Sequence, residues 1–109
     1  MTRREFTRKI CELIYEMVQA GHNPILDYAM RSSAEQRRLY DEGLSKCDGT
    51  EKISAHQKGT AADIYLVQTE PEIKIIFEWN KDKAIFWHNA WTRKGGKAAI
   101  PWDLGHFEG

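Results

Sequence analysis

Ser54-Ala55-His56-Gln57-Lys58-Gly59-Thr60-Ala61-Ala62-Asp63 is the stretch from which the rest of the chain can be read. It puts a histidine in a loop, a glycine three residues on that can turn the chain, and an aspartate in the segment that follows. Ala61 to Val67 alternates as a strand does, with Asp63, Tyr65 and Val67 on one face and Ala62, Ile64 and Leu66 on the other. An acid in a strand among apolar neighbours needs a reason. Imidazole nitrogen and carboxylate oxygen are both ordinary zinc ligands, and a turn between them lets His56 and Asp63 converge. By themselves two such residues are more often a surface histidine and a hydrogen-bonded aspartate than a pair of metal ligands.

The C-terminus supplies more. In Trp102-Asp103-Leu104-Gly105-His106-Phe107-Glu108 a second histidine follows a carboxylate by three residues. A catalytic zinc needs three protein ligands, an open position for water and a nearby base to take that water's proton. His56, Asp63 and His106 fill the ligand roles and Asp103 the role of base. Two neutral imidazoles and one carboxylate leave such a site net positive, which brings the pKa of a bound water towards ~7. Positions three apart in an extended strand face opposite sides, so Asp103 and His106 converge only if Leu104 and Gly105 form a turn or bulge.

Outward from these motifs, Phe6, Ile10, Leu13, Ile14, Met17 and Val18 form one face of an amphipathic helix from Thr2 to Gly21. Thr2 with Glu5 reads as a capping box, and Gly21 as the stop. Ile25 to Met30 has the length and apolarity of a short buried strand. A second helix begins at Ser32 or Ser33, turns Leu39 and Tyr40 inward, and ends at Gly43. Ser45 to Ser54 is polar and aperiodic and reads as a surface loop. Glu72 to Trp79 fits a strand or the start of a helix, whereas Asp82 to Thr92 is a helix with Ala84, Trp87, His88 and Trp91 on one face. Gly95 and Gly96 break that helix, and Ala98 to Phe107 is apolar enough to return to a sheet. No repeat or linker divides the chain, so residues 1–109 read as a single α+β domain.

Composition narrows the function classes. The 109 residues are 41% hydrophobic, enough for one compact core, and 16 basic residues balance 16 acidic ones. Without surplus positive charge, nucleic acid is not an expected partner. There is no apolar run long enough for a membrane span and no signal-peptide pattern, so no membrane insertion is expected. Cys11 and Cys47 are too few for a disulfide scaffold and read as reduced thiols.

At this point the chain resembles the family of zinc D-Ala-D-Ala carboxypeptidases, D,D-dipeptidases and L-alanyl-D-glutamate endopeptidases, the last of which includes phage endolysins. The family signature SxHxxGxAxD is met by Ser54, His56, Gly59, Ala61 and Asp63, and its acid-x-x-His half by Asp103 and His106. An arginine followed by a Ser/Thr helix start and a glutamine is met by Arg31, Ser32, Ser33 and Gln36, so the resemblance spans 25–109. It implies the fold shared with hedgehog signalling domains and D,D-peptidases: a small antiparallel sheet carrying a zinc site, with helices packed on it. It further implies Zn2+ held by His56, Asp63 and His106, Asp103 as general base, Arg31 for the oxyanion or a substrate carboxylate, and Ser54 and Gln36 in support of site or substrate. Asp-x-x-His followed by Phe-Glu looks more like the endopeptidase branch.

The implied function is hydrolysis of the peptide stem of bacterial peptidoglycan, with L-Ala-D-Glu endopeptidase favoured over D-Ala-D-Ala carboxypeptidase. Such a phage or prophage lysin is expected to be a monomer, made in the cytoplasm without a signal peptide and acting on the cell wall or periplasm after release. The alternative is a non-catalytic zinc-binding module for cell wall or protein. Asp103 and Arg31 weigh against that, since a purely structural zinc site needs neither. His88 is a rival ligand or a lining residue, Trp87 or Trp102 a wall of the cleft, and Glu108 either orients the site or is a solvated carboxylate.

Overall fold

A computed structural model describes residues 1–29, 32–49 and 54–109. The chain forms an α+β domain whose four-stranded antiparallel sheet is centred on β2 (Ala61–Gln68). This strand pairs with β1 (Pro24–Tyr28), with β3 (Lys74–Ile76) and, near its beginning, with β4 (His106–Glu108). The ambiguous run Glu72 to Trp79 therefore holds a three-residue strand. No helix among the described residues is long and apolar enough to cross a membrane.

Helix α1 (Arg3–Gln19) forms for the reasons its sequence announces. The Glu5 N–H donates to Thr2 Oγ1 at 3.1 Å, satisfying one of the donors a helix start leaves open. At the other end the His22 N–H donates back to the Met17 carbonyl at 3.0 Å, past Gly21. Phe6, Ile10, Leu13 and Met17 are buried, while Val18, at the margin of the stripe, is more than half exposed. Helix α2 (Ser33–Asp41) is capped by Ser32, which accepts from the Glu35 N–H at 3.1 Å. Helix α4 (Lys81–Arg93) is capped by Asn80 and buries Ala84, Trp87, His88, Ala90 and Trp91.

The core lies on one face of the sheet. Ala62 and Ile64 of β2 and Phe107 of β4 point into it, and α1 and α4 cover it with Phe6, Leu13, Met17, Trp87 and Trp91. Phe107 sits at its centre, with the Trp91 ring edge-on at 6.4 Å and Trp79 at 5.9 Å. Alternation along the strands then forces Asp63, and His106 opposite it, onto the other face.

Two expectations need correction. The strand expected to be buried is an edge in this part of the sheet, because among the described residues β1 pairs only with β2, and Leu26 is half exposed. Tyr40 does not turn inward: it too is exposed, its ring under the Arg37 guanidinium at 5.4 Å. On this nine-residue helix Gln36 and Leu39 are the only buried residues; Tyr40, four positions after Gln36, lies at the margin of that face and is left in solvent. Residues 50–53 of the expected surface loop, and Met30 at the end of the expected strand, lie outside the described residues.

Candidate metal centre

Helix α3 (Ala55–Lys58) is a single turn that places the first histidine. Ser54 caps it, accepting from the Gln57 N–H at 3.1 Å, and Gly59 closes it in the left-handed region at φ 75°, where glycine alone is unstrained. The chain leaves that turn directly into β2. This explains the spacing of the motif: the capping serine, the histidine, the left-handed glycine and the strand aspartate each occupy a position that one helical turn followed by a strand defines.

The second histidine arrives by a different device. The His106 N–H donates to the Asp103 carbonyl at 3.1 Å, so Asp103-Leu104-Gly105-His106 is the turn that the acid-x-x-His spacing requires. The turn lies tight against β2. The Ile64 N–H donates to the Gly105 carbonyl at 2.8 Å, and a Cβ on Gly105 would come 2.6 Å from a ring carbon of Tyr65. Helix α4 holds the turn from the core side: His88 Nε2 donates to the Leu104 carbonyl at 2.7 Å while its ring stacks on Phe107 at 4.1 Å. His88 is thus engaged elsewhere and is not a member of the ligand group.

His56, Asp63 and His106 converge so that one ligand atom of each lies within 4.8 Å of the others. His56 Nε2 is 3.1 Å from Asp63 Oδ1 and 3.1 Å from His106 Nδ1, and His106 Nδ1 is 3.4 Å from Asp63 Oδ1. Their side chains are only 4%, 10% and 10% exposed, in that order. The outward nitrogens decide what this cluster can hold. His56 Nδ1 faces the Ala29 carbonyl at 3.2 Å, and His106 Nε2 faces Glu108 Oε1 at 3.0 Å. Both partners only accept, so both outward nitrogens carry the hydrogen. In the neutral imidazoles the inward nitrogens are then bare lone pairs, facing each other and a carboxylate oxygen at hydrogen-bond distance. Three converging lone pairs repel unless a cation lies among them. A divalent metal meets that need, and carbonyl and carboxylate partners behind ligating histidines are the usual orienting groups of a metal site.

In the metal-free chain a proton answers the same need. Burial alone works against charge on His106, but hydrogen bonds to Asp63 and Glu108 outweigh it and raise its pKa. Burial likewise pushes the Asp63 carboxyl up, and the two imidazoles overcome this, bringing it down to about 2. Glu108 also stays ionised, its burial offset by Lys97 and His106, and Lys97 Nζ is 2.7 Å from its second oxygen.

The cluster opens onto a cleft of about 680 Å³ whose walls include residues 43–47, Ser54, Lys58, Ile100, Trp102, Asp103 and Glu108. Asp103 lies in that wall, close enough for its charge to act on both His106 and Tyr65. Trp102 flanks the cleft, and Trp87 is core. The supporting residues divide. Ser54 lines the cleft and caps α3, whereas Gln36 is fully buried and its amide donates to Ser45 Oγ and to the Cys47 carbonyl, both at 2.7 Å. Gln36 therefore shapes the wall from behind. Arg31 lies outside the described residues.

Sequence reasoning passed over Gln57, which donates to Ser33 Oγ at 2.9 Å and to the Gly49 carbonyl at 2.8 Å, tying α3 to α2 and the intervening loop. No local pattern marks such a residue. Lys97 was equally silent, since its pairing with Glu108 depends on the return of the C-terminal strand. In comparisons with known proteins, the chain matches no family model and no curated protein.

Proposed function

We propose that the chain is a zinc-dependent peptidase of the peptidoglycan stem peptide, cutting the L-Ala-D-Glu bond in preference to D-Ala-D-Ala. The observation that carries this reading is the placement of Asp103 in the wall of the cleft onto which a buried His-Asp-His cluster opens. A purely structural metal site is closed by a fourth protein ligand, whereas three ligands beside a cleft and a carboxylate suit catalysis.

His56, Asp63 and His106 hold the metal, and the donor set of two nitrogens and one oxygen favours zinc among the common divalent ions. When bound, zinc supplies a Lewis acid that polarises the scissile carbonyl and eases removal of a proton from water. Asp103 accepts that proton as the water oxygen attacks the carbonyl carbon. It then returns the proton to the amine nitrogen as the C–N bond breaks, so the carboxylate ends as it began. By the family resemblance, Arg31 meets the negative charge that develops on the carbonyl oxygen. Glu108 and Ala29 keep the two imidazoles in the tautomer that binding requires.

The test is mass spectrometry of a defined muropeptide with a complete pentapeptide stem, incubated with zinc-loaded protein, with chelator, and with Asp103→Asn. Scission after L-Ala, abolished by chelator and lowered by about 10²–10⁴-fold in Asp103→Asn, is expected. Loss of D-Ala alone moves the assignment to a carboxypeptidase. A zinc-loaded protein that leaves every stem bond intact, or an Asp103→Asn variant as fast as wild type, overturns the hydrolytic reading.

A further inference from the structure

Two irregular segments, residues 43–47 after α2 and residues 100–103 before β4, wall the cleft, and a side chain of the first lies over a ring of the second. Lys46 Nζ lies 5.5 Å from the centroid of the Trp102 ring. Trp102 is 79% exposed, so this large ring does little for the core, and it directly precedes Asp103 in sequence. Lys46 is itself exposed, as is Lys58, which lines the cleft two residues beyond His56. Neither ammonium has a carboxylate partner among the described residues. Of the acids in the same wall, Glu108 is held by Lys97 and His106, and Asp103 takes the role of base.

An exposed aromatic ring with a cation poised over its face is a receptor in two parts: an apolar platform and a charge that an anion can claim. Resting on the ring, the ammonium is kept over the cleft, so less freedom is lost when it takes a ligand. We propose that Lys46 and Trp102 determine specificity for acidic peptides: Lys46 receives a free carboxylate near the scissile bond, Trp102 supports the aliphatic carbons beside it, and Lys58 adds a second positive charge. Within the stem peptide the group so recognised is the free carboxylate of the D-Glu residue, and its carboxamide form is disfavoured. This inference rests on the peptidase reading for the bond, but not for the binding.

The experiment uses two stem peptides identical except that one carries the free D-Glu carboxylate and the other its amide. Turnover is measured with zinc-loaded wild type, Lys46→Gln, Lys46→Arg and Trp102→Ala, and binding by tryptophan fluorescence with zinc-loaded Asp103→Asn alone and combined with Lys46→Gln. The acidic peptide is expected to have a KM about tenfold lower than its amide, the worth of one charge-assisted contact. Lys46→Gln should raise KM for the acidic peptide alone with kcat unchanged, Lys46→Arg should restore it, and Trp102→Ala should raise KM for both. Equal treatment of the two peptides by wild type, or an equal effect of Lys46→Gln on both, overturns the proposal. If neither peptide is cut but the Asp103→Asn protein still binds the acidic one more tightly in a Lys46-dependent way, the recognition stands and the hydrolytic reading falls. If neither is cut and neither is bound, both fall.

Discussion

Asp63 and His106 are direct partners across the β2–β4 ladder, 43 positions apart in sequence yet opposite each other on one face of the sheet. The next pair, Ala62 and Phe107, faces the core. One register therefore sets both the packing of Phe107 and the meeting of two candidate ligands. A slip by one residue would turn His106 into the core and Phe107 into the cleft. The stability of the core is in this way also the accuracy of the site.

Glu108 holds His106 in the tautomer that leaves Nδ1 bare, and Lys97 holds Glu108. Glu108→Gln removes the negative charge that keeps the hydrogen on His106 Nε2 and is expected to weaken zinc binding by about 10–100-fold. Competition titration against a chromophoric chelator measures this. Unchanged affinity would show that the contact plays no part in orienting the ligand.

Zinc binding should also weaken steeply on acidification. Both imidazoles must be deprotonated to bind, and in the metal-free chain the Asp63 and Glu108 carboxylates overcome burial to raise the pKa of His106. Protons therefore compete for this site above the usual imidazole range. The same titration repeated from pH 8 to pH 5 is expected to show falling affinity throughout, and a flat profile would exclude the two histidines as ligands.

His88 gives fold stability a pH dependence of its own. Burial lowers its pKa from the usual 6.5, outweighing the hydrogen bond to Leu104. Between the unfolded value and this lower folded one the unfolded chain binds more protons, so the contribution is complete above pH ~6.5 and is lost as pH falls towards the folded pKa. His106 acts in the opposite sense in the metal-free protein, so the comparison must be with a variant. The difference in urea-unfolding free energy between wild type and His88→Gln should shrink as pH is lowered through this window, and a difference independent of pH would refute the linkage.

Gly105 is required by closeness. A Cβ there would sit 2.6 Å from the Tyr65 ring, so Gly105→Ala must move either the turn or the ring, at a cost of about 1–3 kcal/mol and with weaker zinc binding as His106 shifts. Chemical denaturation and metal titration of Gly105→Ala, Tyr65→Leu and the double variant test this. The double variant should cost less than the sum of the single ones, and simple additivity would mean that the two residues do not press on each other.

Gln36 separates support from recognition. Gln36→Leu strips the partly buried Cys47 carbonyl and Ser45 hydroxyl of a donor and should destabilise the fold by about 1–3 kcal/mol. Because Gln36 is fully buried, zinc affinity should stay near that of wild type. A large loss of zinc affinity with little loss of stability would instead place it in the metal site.

Much of this was legible in the residues themselves, because it is decided within about ten positions of chain. The stripe of α1, the caps at Thr2 and Ser32, the alternation of β2, a turn at Gly59 and the need for a turn at Leu104-Gly105 are all local consequences of period, capping and backbone conformation, whereas the helical turn that carries His56 reads in the sequence as loop. Where local signals were weak the reading strayed: an apolar run does not reveal whether its strand is an edge, as at Leu26, and a short helix does not say how narrow its buried face is, as at Tyr40. The candidate ligands could be named from their chemistry. That they meet depends on the pairing of β2 with β4, and that they meet with lone pairs inward depends on the Ala29 carbonyl and the Glu108 carboxylate behind them. Lys97 on Glu108, His88 under Leu104, Gln57 behind α3 and Lys46 over Trp102 are likewise contacts between segments distant in the chain. The sequence alone determined which groups were available and how each is presented by its own element. Only the tertiary structure decided which of them come together, because a side chain's partner across a sheet or cleft is set by the packing of the whole core and leaves no periodicity in the chain.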